Sequence, residues 1–291
     1  MTTPAGGFAA RLLAREFVIT SELVPPRGAD AAAVTRSVSE LAFANGLNVT
    51  DLPRGRPRMS ALGAAAIAVA AGAEPILQMT CRDRNRLALA ADALGAAAIG
   101  VGAILPLTGD ALPEGVPGTS VHDVDAPGLV QLLVDLNRGV LPDGSELDGP
   151  PPRLLVGAAA SPGYTPAATL AAKTAAGAAF VQTQVVLDAD RFEEWVGGMR
   201  AASAIGDAAL LPSVIVPASA RSVEMVRGFG AQVADVVEAR AGAGEGEAVA
   251  REVVARLVRI PEVRGLHVLA IGSGTAAAGR LAAFAREVAA G

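Results

Sequence analysis

Five apolar runs in this chain finish on, or carry near their ends, a side chain that can hold or move a proton or present an amide. FVITSEL closes at Glu22, GLNVTDL at Asp51, EPILQMT carries Gln78, GAILPLTGD ends at Asp110 and AFVQTQVVLD contains Gln184. Carboxylates serve as general acids and bases, and an amide offers a donor and an acceptor to a ring that carries both. An acid at the end of an apolar strand is either a solvated loop residue or a buried proton donor, and burial would raise the pKa of Glu22 toward neutrality. Asp110 has a similar pair of readings: it caps a turn or it faces a pocket, with Gly109 before it letting a ligand approach the backbone. Asp51 precedes Arg54, Arg56 and Arg58 in LPRGRPRMS, a loop that is either solvated or holds phosphate or carboxylate groups. Gln182 and Gln184 are two apart, so a strand shows both on one face, toward a ligand or as polar contacts among interior layers.

Side chains converge in this way when they sit at the carboxyl ends of parallel strands. Short β-rich runs alternate here with stretches of helical period, which is the pattern of βα units. The alternation predicts strands at 17–23, 46–51, 74–79, 99–107, 153–158, 179–186, 211–216 and 265–271. Helices are expected near 30–45, 59–72, 84–95, 127–138, 166–177, 189–203, 219–229, 245–258 and 276–289. Eight such strands suit an α/β fold, a (β/α)8 TIM barrel formed by residues 1–291 as a single domain. Asp30 is the expected N-cap after Pro25 and Pro26 end the first strand, and the Gly- and Pro-dense stretch 139–152 reads as an exposed loop.

Composition narrows the function classes. With 291 residues, 52% hydrophobic, a full core is affordable. A net charge of -5 with scattered Lys and Arg leaves no basic stripe for nucleic acid, so a small molecule is the expected partner. Cys81 is the single cysteine and the histidines are His122 and His267, so neither a disulfide nor a Cys/His zinc cluster is expected, and a reducing cytoplasm fits. Cys81 reads as a core thiol and His122 as a surface imidazole. The opening MTTPAGGFAARLLAREF lacks a long apolar segment, which argues against a cleaved signal, and no Ala-rich run stays apolar for the roughly 20 residues of a membrane span.

GLHVLAIGSGTAAAG places Gly272, Gly274 and Gly279 after a strand in imitation of a dinucleotide fingerprint. Too few residues follow to supply the next strand and its ribose-binding acid. The better expectation is a loop after the eighth barrel strand in which Gly272, Ser273 and Gly274 hold a cofactor phosphate.

Taken in order, TSELVPPRGAD, NVTDLPRGRPRMSA, MTCRDRN, LTGD, VHDVD, LLVDLN and KTAAGAAFVQTQVVLDADRF resemble the methylenetetrahydrofolate reductase family. The nearest likeness is to the reductase module that some bacteria fuse to a homocysteine methyltransferase. The similarity covers roughly residues 17–200 and fades beyond 205. It implies a barrel that reduces 5,10-methylenetetrahydrofolate to 5-methyltetrahydrofolate with NADH or NADPH. The family's proton-donating glutamate matches Glu22, its pterin-side aspartate Asp110 and its pterin-binding glutamine Gln184. Thr50 falls at the threonine that contacts the flavin, and Lys173 at a lysine of the flavin set.

Typical flavin-binding members read VTYGA, HLTC and LRGD where this chain has Val49-Thr50-Asp51, Gln78-Met79-Thr80-Cys81 and Leu107-Thr108-Gly109-Asp110. The tyrosine, histidine and arginine are replaced, which removes donors for FAD and its pyrophosphate. The expectation is therefore direct hydride transfer without flavin, with Thr50, Asp51, Gln78, Thr108, Gly109 and Lys173 along the cofactor edge. Two alternatives stay open: a conventional FAD-dependent reductase with substituted contacts, and a folate-binding barrel without turnover.

Overall fold

Runs of Val, Ile, Leu and Ala that alternate between two surroundings build the barrel. The computed structural model describes residues 7–116, 118–231 and 233–291; the expectation for the first six residues lies outside these. The strands are β1 (Val18–Leu23), β2 (Gly46–Val49), β3 (Pro75–Thr80), β4 (Ala103–Leu107), β5 (Leu155–Ala160), β6 (Phe180–Val185), β7 (Ala209–Ile215) and β8 (Gly265–Leu269). All pair in parallel and in sequence order, and β8 returns to β1. The helices are α1 (Phe8–Leu13), α2 (Ala31–Glu40), α3 (Ala61–Ala70), α4 (Arg86–Ala98), α5 (Ala126–Asn137), α6 (Ala167–Ala175), α7 (Ala189–Ala201), α8 (Ala220–Arg227), α9 (Asp235–Gly242), α10 (Gly246–Leu257) and α11 (Gly274–Ala290).

The period of two along each strand divides the core. Ile19, Leu47, Leu77, Ile104, Val181, Leu210 and Val268 point outward into the layer shared with the helices. Val18, Ile76, Leu105, Leu155, Phe180 and Leu211 point inward and fill the lower barrel with Phe8 and Leu12 of α1. α1 thus plugs the amino-terminal end, where the Phe8 and Phe180 rings meet edge to face at 5.4 Å. Function is left to the opposite end, where the helices begin. Asp30, Ser60, Asn85, Asp125, Asp188 and Ser219 each accept a backbone N–H in the first turn of the helix they precede.

The differences from expectation are local. β4 starts at Ala103 rather than 99, because α4 runs on to Ala98 and Gly100 turns the chain at φ +96°. β2 ends at Val49, leaving Thr50 and Asp51 just beyond the strand. α1 and α9 are additional to the predicted elements.

Gly157 shows how tightly the lower barrel is filled. A Cβ there would lie 2.4–2.8 Å from three carbons of the fully buried Phe180 ring. Gly157→Ala is expected to cost roughly 1–3 kcal/mol by overpacking. Chemical denaturation checks this, and an unchanged midpoint would show that Phe180 can give way.

Candidate active site

Above the plug the interior turns polar. Thr20 and Glu22 of β1 follow Val18 on the inward face, and Asn48 of β2 stands in register beside Glu22. Thr20 Oγ1 and His267 Nδ1 of β8 are 2.9 Å apart, and burial pushes the imidazole down to about 3, so it is neutral. Asn48 Nδ2 donates across the barrel to Gln182 Oε1 at 2.5 Å. Gln182 was expected to share a substrate face with Gln184; the structure instead spends its carbonyl on Asn48, within the barrel. Gln184 is partly exposed and lines a shallow cavity with Pro162, Val186, Asp188 and Arg191.

Glu22 is the acid that this layer encloses. It is only partly accessible, and burial alone raises its carboxyl to about 7. A carboxylic acid that still holds its proton near neutrality is suited to general-acid chemistry. Of the two readings of Glu22, the partial enclosure and raised carboxyl favour the proton donor over the solvated loop acid.

Asp110 lies three residues past β4, on the rim, with its side chain exposed. What fixes it is Arg82, 1% exposed, a residue that the sequence did not single out. Arg82 Nε and Nη2 grip Asp83 at 2.8 and 2.7 Å, while Nη1 donates to the Asp110 carbonyl and Nη2 to the Leu52 carbonyl, both at 3.1 Å. One guanidinium therefore ties together the loops after β2, β3 and β4, and its hydrogen bonds, then its charge, hold the Asp83 carboxyl below the usual range. Gly109 has φ +87°, and a Cβ there would sit 2.8 Å from Arg82 Cβ, so the chain needs glycine where it passes this brace.

The edge at which the resemblance places a flavin is largely committed to the protein itself. Asp51 accepts from Thr80 N at 2.8 Å, from Thr80 Oγ1 at 3.0 Å and from Arg84. Arg84 also pairs with Asp92 at 2.7 Å. Lys173 is buried, its amine donates to the Ala159 carbonyl at 2.7 Å, and burial lowers its pKa. Gln78 shares the inward face of β3, and Thr108 is exposed and neutral. Thr50 is 4% exposed, and its hydroxyl has no partner among the described residues. Arg82, Arg84 and Lys173 are each engaged with protein partners, while Arg27 and Arg56 on the loops after β1 and β2 are exposed. Asp51 and Lys173, expected along the cofactor edge, bond to β3 and β5 respectively.

Of the basic loop, Arg54 lies over the Phe229 ring at 4.8 Å, Arg58 donates to the Pro25 carbonyl at 2.9 Å, and Arg56 is exposed. After β8, Gly272 and Gly274 adopt φ +77° and +79° around Ser273, whose buried Oγ has no partner among the described residues as α11 begins. Cys81 is fully buried and its thiol is pushed up to about 11, which makes it inert. Among the described residues, no group of three His, Cys, Asp or Glu side chains could hold a metal, and no helix is long and apolar enough to cross a membrane.

The buried acid has a thermodynamic signature. The folded protein binds the Glu22 proton more tightly than the unfolded chain, whose carboxyl titrates near 4.5, so stability falls as pH climbs from about 4.5 to about 7 and is level above. Glu22→Gln removes that penalty and should stabilise the protein by up to roughly 3 kcal/mol at pH 8, with little effect at pH 4. Denaturant titrations at the two pH values measure it; equal shifts at both would mean that Glu22 is already charged in the fold.

The comparisons agree with this fold. An uncharacterized protein from Clostridium thermocellum that binds two copies of 5-methyl-5,6,7,8-tetrahydrofolic acid is structurally similar, with a TM-score of 0.67 at 11% identity over 97% of this chain and 98% of that one. Mycobacterium tuberculosis tryptophan synthase shares the fold at a TM-score of 0.52 and 14% identity, over 97% of this chain and 95% of that one. No curated protein sequence matches. A family profile described as methylenetetrahydrofolate reductase matches residues 8–277, and the chain belongs to that family.

Proposed function

We propose that this barrel reduces 5,10-methylenetetrahydrofolate to 5-methyltetrahydrofolate by hydride transfer directly from NADH or NADPH, with no flavin between them. The observation that carries the reading is Glu22, an acid at the barrel mouth that stays protonated up to about pH 7. Its proton goes to N10 as the bond from N10 to the bridging methylene breaks, leaving an iminium on N5. Hydride from the nicotinamide ring then reduces that methylene to a methyl group, NAD(P)+ departs, and Glu22 takes a proton back from water. Reaction requires donor and acceptor carbons about 3–3.5 Å apart, so the remaining work of the protein is orientation.

Asp110 and Gln184 are the groups for the pterin, a carboxylate for its N–H donors and an amide for a donor and acceptor side by side. Arg82 supports Asp110 from beneath. The unsatisfied Thr50 hydroxyl, Gln78, Thr108 and Gly109 form the edge left to the nicotinamide, and Gly272, Ser273 and Gly274 the cradle for a phosphate of the same cofactor. The commitment of Arg82, Arg84 and Lys173 to protein partners supports the flavin-free step. A folate-binding barrel of the same architecture supports a mouth that admits flat ligands. The lone buried thiol suits a reducing cytoplasm.

An anaerobic assay with methylenetetrahydrofolate and each nicotinamide, preceded by an absorption spectrum, tests the whole. Turnover by colourless protein is expected, and Glu22→Gln should lower it at least ~10²-fold while folate still binds. One FAD per chain in the spectrum would remove the direct transfer and leave the reductase; tight folate binding without NAD(P)H oxidation would leave a binding protein. Ser273→Glu places a charge in the phosphate cradle and should raise the KM for NAD(P)H about tenfold or more. An unchanged KM would move the phosphate elsewhere.

A further inference from the structure

Asn48 is fully buried, yet only half of its amide is satisfied. Its Nδ2 donates to Gln182 Oε1, while Oδ1 has no partner among the described residues. Buried acceptors are nearly always paired, so an orphan oxygen inside a barrel calls for a donor. Glu22 is in register with Asn48 on the neighbouring parallel strand, about 4.8 Å away, and both side chains face inward. Two acceptor groups side by side, one of them fully buried, repel each other unless one carries a proton.

We propose that Asn48 is a positioning residue for the acid: its Oδ1 accepts the carboxyl proton of Glu22, and Gln182 keeps the amide turned so that oxygen, not nitrogen, faces it. The three side chains then form one directional line from β1 through β2 to β6, with O–H donating to Oδ1 and Nδ2 donating to Oε1. A bond that exists only when Glu22 is protonated favours the protonated form. When N10 takes the proton, the new carboxylate is left against Oδ1 with no donor, and that repulsion drives reprotonation from water.

No other charge explains the behaviour of Glu22, because burial is the only cause of its shift. The titratable groups on the adjoining strands and loops have partners of their own, including Arg58, which donates to the Pro25 carbonyl. β8 presents His267 one step below, uncharged and beside Thr20; β2 presents Asn48; Asp51 is bound to Thr80 and Arg84, and Lys173 to Ala159. The inference rests on the reading of Glu22 as proton donor to folate, but its test needs no turnover. Failure of the line is therefore distinguishable from failure of the reductase reading, which the E22Q assay decides.

Difference infrared spectra of the full chain between acid and neutral pH report the carboxyl stretch of Glu22, assigned as the band missing from E22Q. In Asn48→Leu the acid loses its acceptor, and that band should move to higher wavenumber. In Gln182→Met the amide loses its anchor and can turn Nδ2 toward the carboxylate, so the Glu22 midpoint should fall by about 0.5 unit or more. Circular dichroism establishes that each variant is folded, and the second variant decides if the first is not. An unmoved band in folded Asn48→Leu, or a midpoint that holds or rises in Gln182→Met, overturns the proposal.

Discussion

Closing eight parallel strands into a ring forces every second residue into an interior that water does not fill, so each polar group placed there must find a protein or ligand partner. The lower half of this barrel avoids the problem with Val18, Ile76, Leu105, Phe180 and Leu211, sealed by Phe8 from α1. The upper half accepts it. Thr20 pairs with His267, and Asn48 with Gln182. Among the described residues, Asn48 Oδ1 and the Thr50 hydroxyl stay unpaired toward the open end, with Asn48 in register beside Glu22. The plug below and the orphans above are two sides of one arrangement: a floor rigid enough to hold unsatisfied groups in place for something that binds from the mouth.

Rigidity of the rim has a different source. Loops that follow barrel strands are free to vary, and a carboxylate such as Asp110 on an exposed loop would wander if only its own chain held it. Arg82 supplies the constraint by taking backbone carbonyls from two loops and a carboxylate from a third. Buried arginine is tolerated here because Asp83 neutralises it and both carbonyls accept from its remaining N–H groups. The same commitment removes the cation from ligand binding. A rim built this way is stiff because its buried cation is spent on holding three loops together.

Much of this was legible in the sequence. Apolar runs ending in Glu22, Asp110 and Gln184 marked strands and their carboxyl ends, because parallel strands buried on both faces read as continuous hydrophobic stretches. That same continuity hid the start of β4, where Ile99 belongs to the end of a helix and only Gly100 signals the turn. α1 escaped notice because six residues show too little periodicity, and its partner Phe180 is far away in the chain. Asn48 and Arg82 sit in the open within GLNVTDL and TCRDRN. Asn48 sits two before Thr50 in the run, but its place beside Glu22 follows from strand register, and the reach of Arg82 from three loops meeting in space.

The central acid also shows why such a site is expensive to keep. Above about pH 7 the folded protein must hold Glu22 charged in a place where burial disfavours charge. A stability-driven sequence would put glutamine there and satisfy Asn48 Oδ1 with a permanent N–H. A folate-binding barrel without turnover has that option open, since the amide keeps the shape and the hydrogen bond of the acid. A carboxyl gains over the amide only where its proton is to be given away and regained. A carboxyl kept at the less stable position, beside an acceptor that it satisfies only while protonated, favours the catalytic reading of this barrel over the binding one.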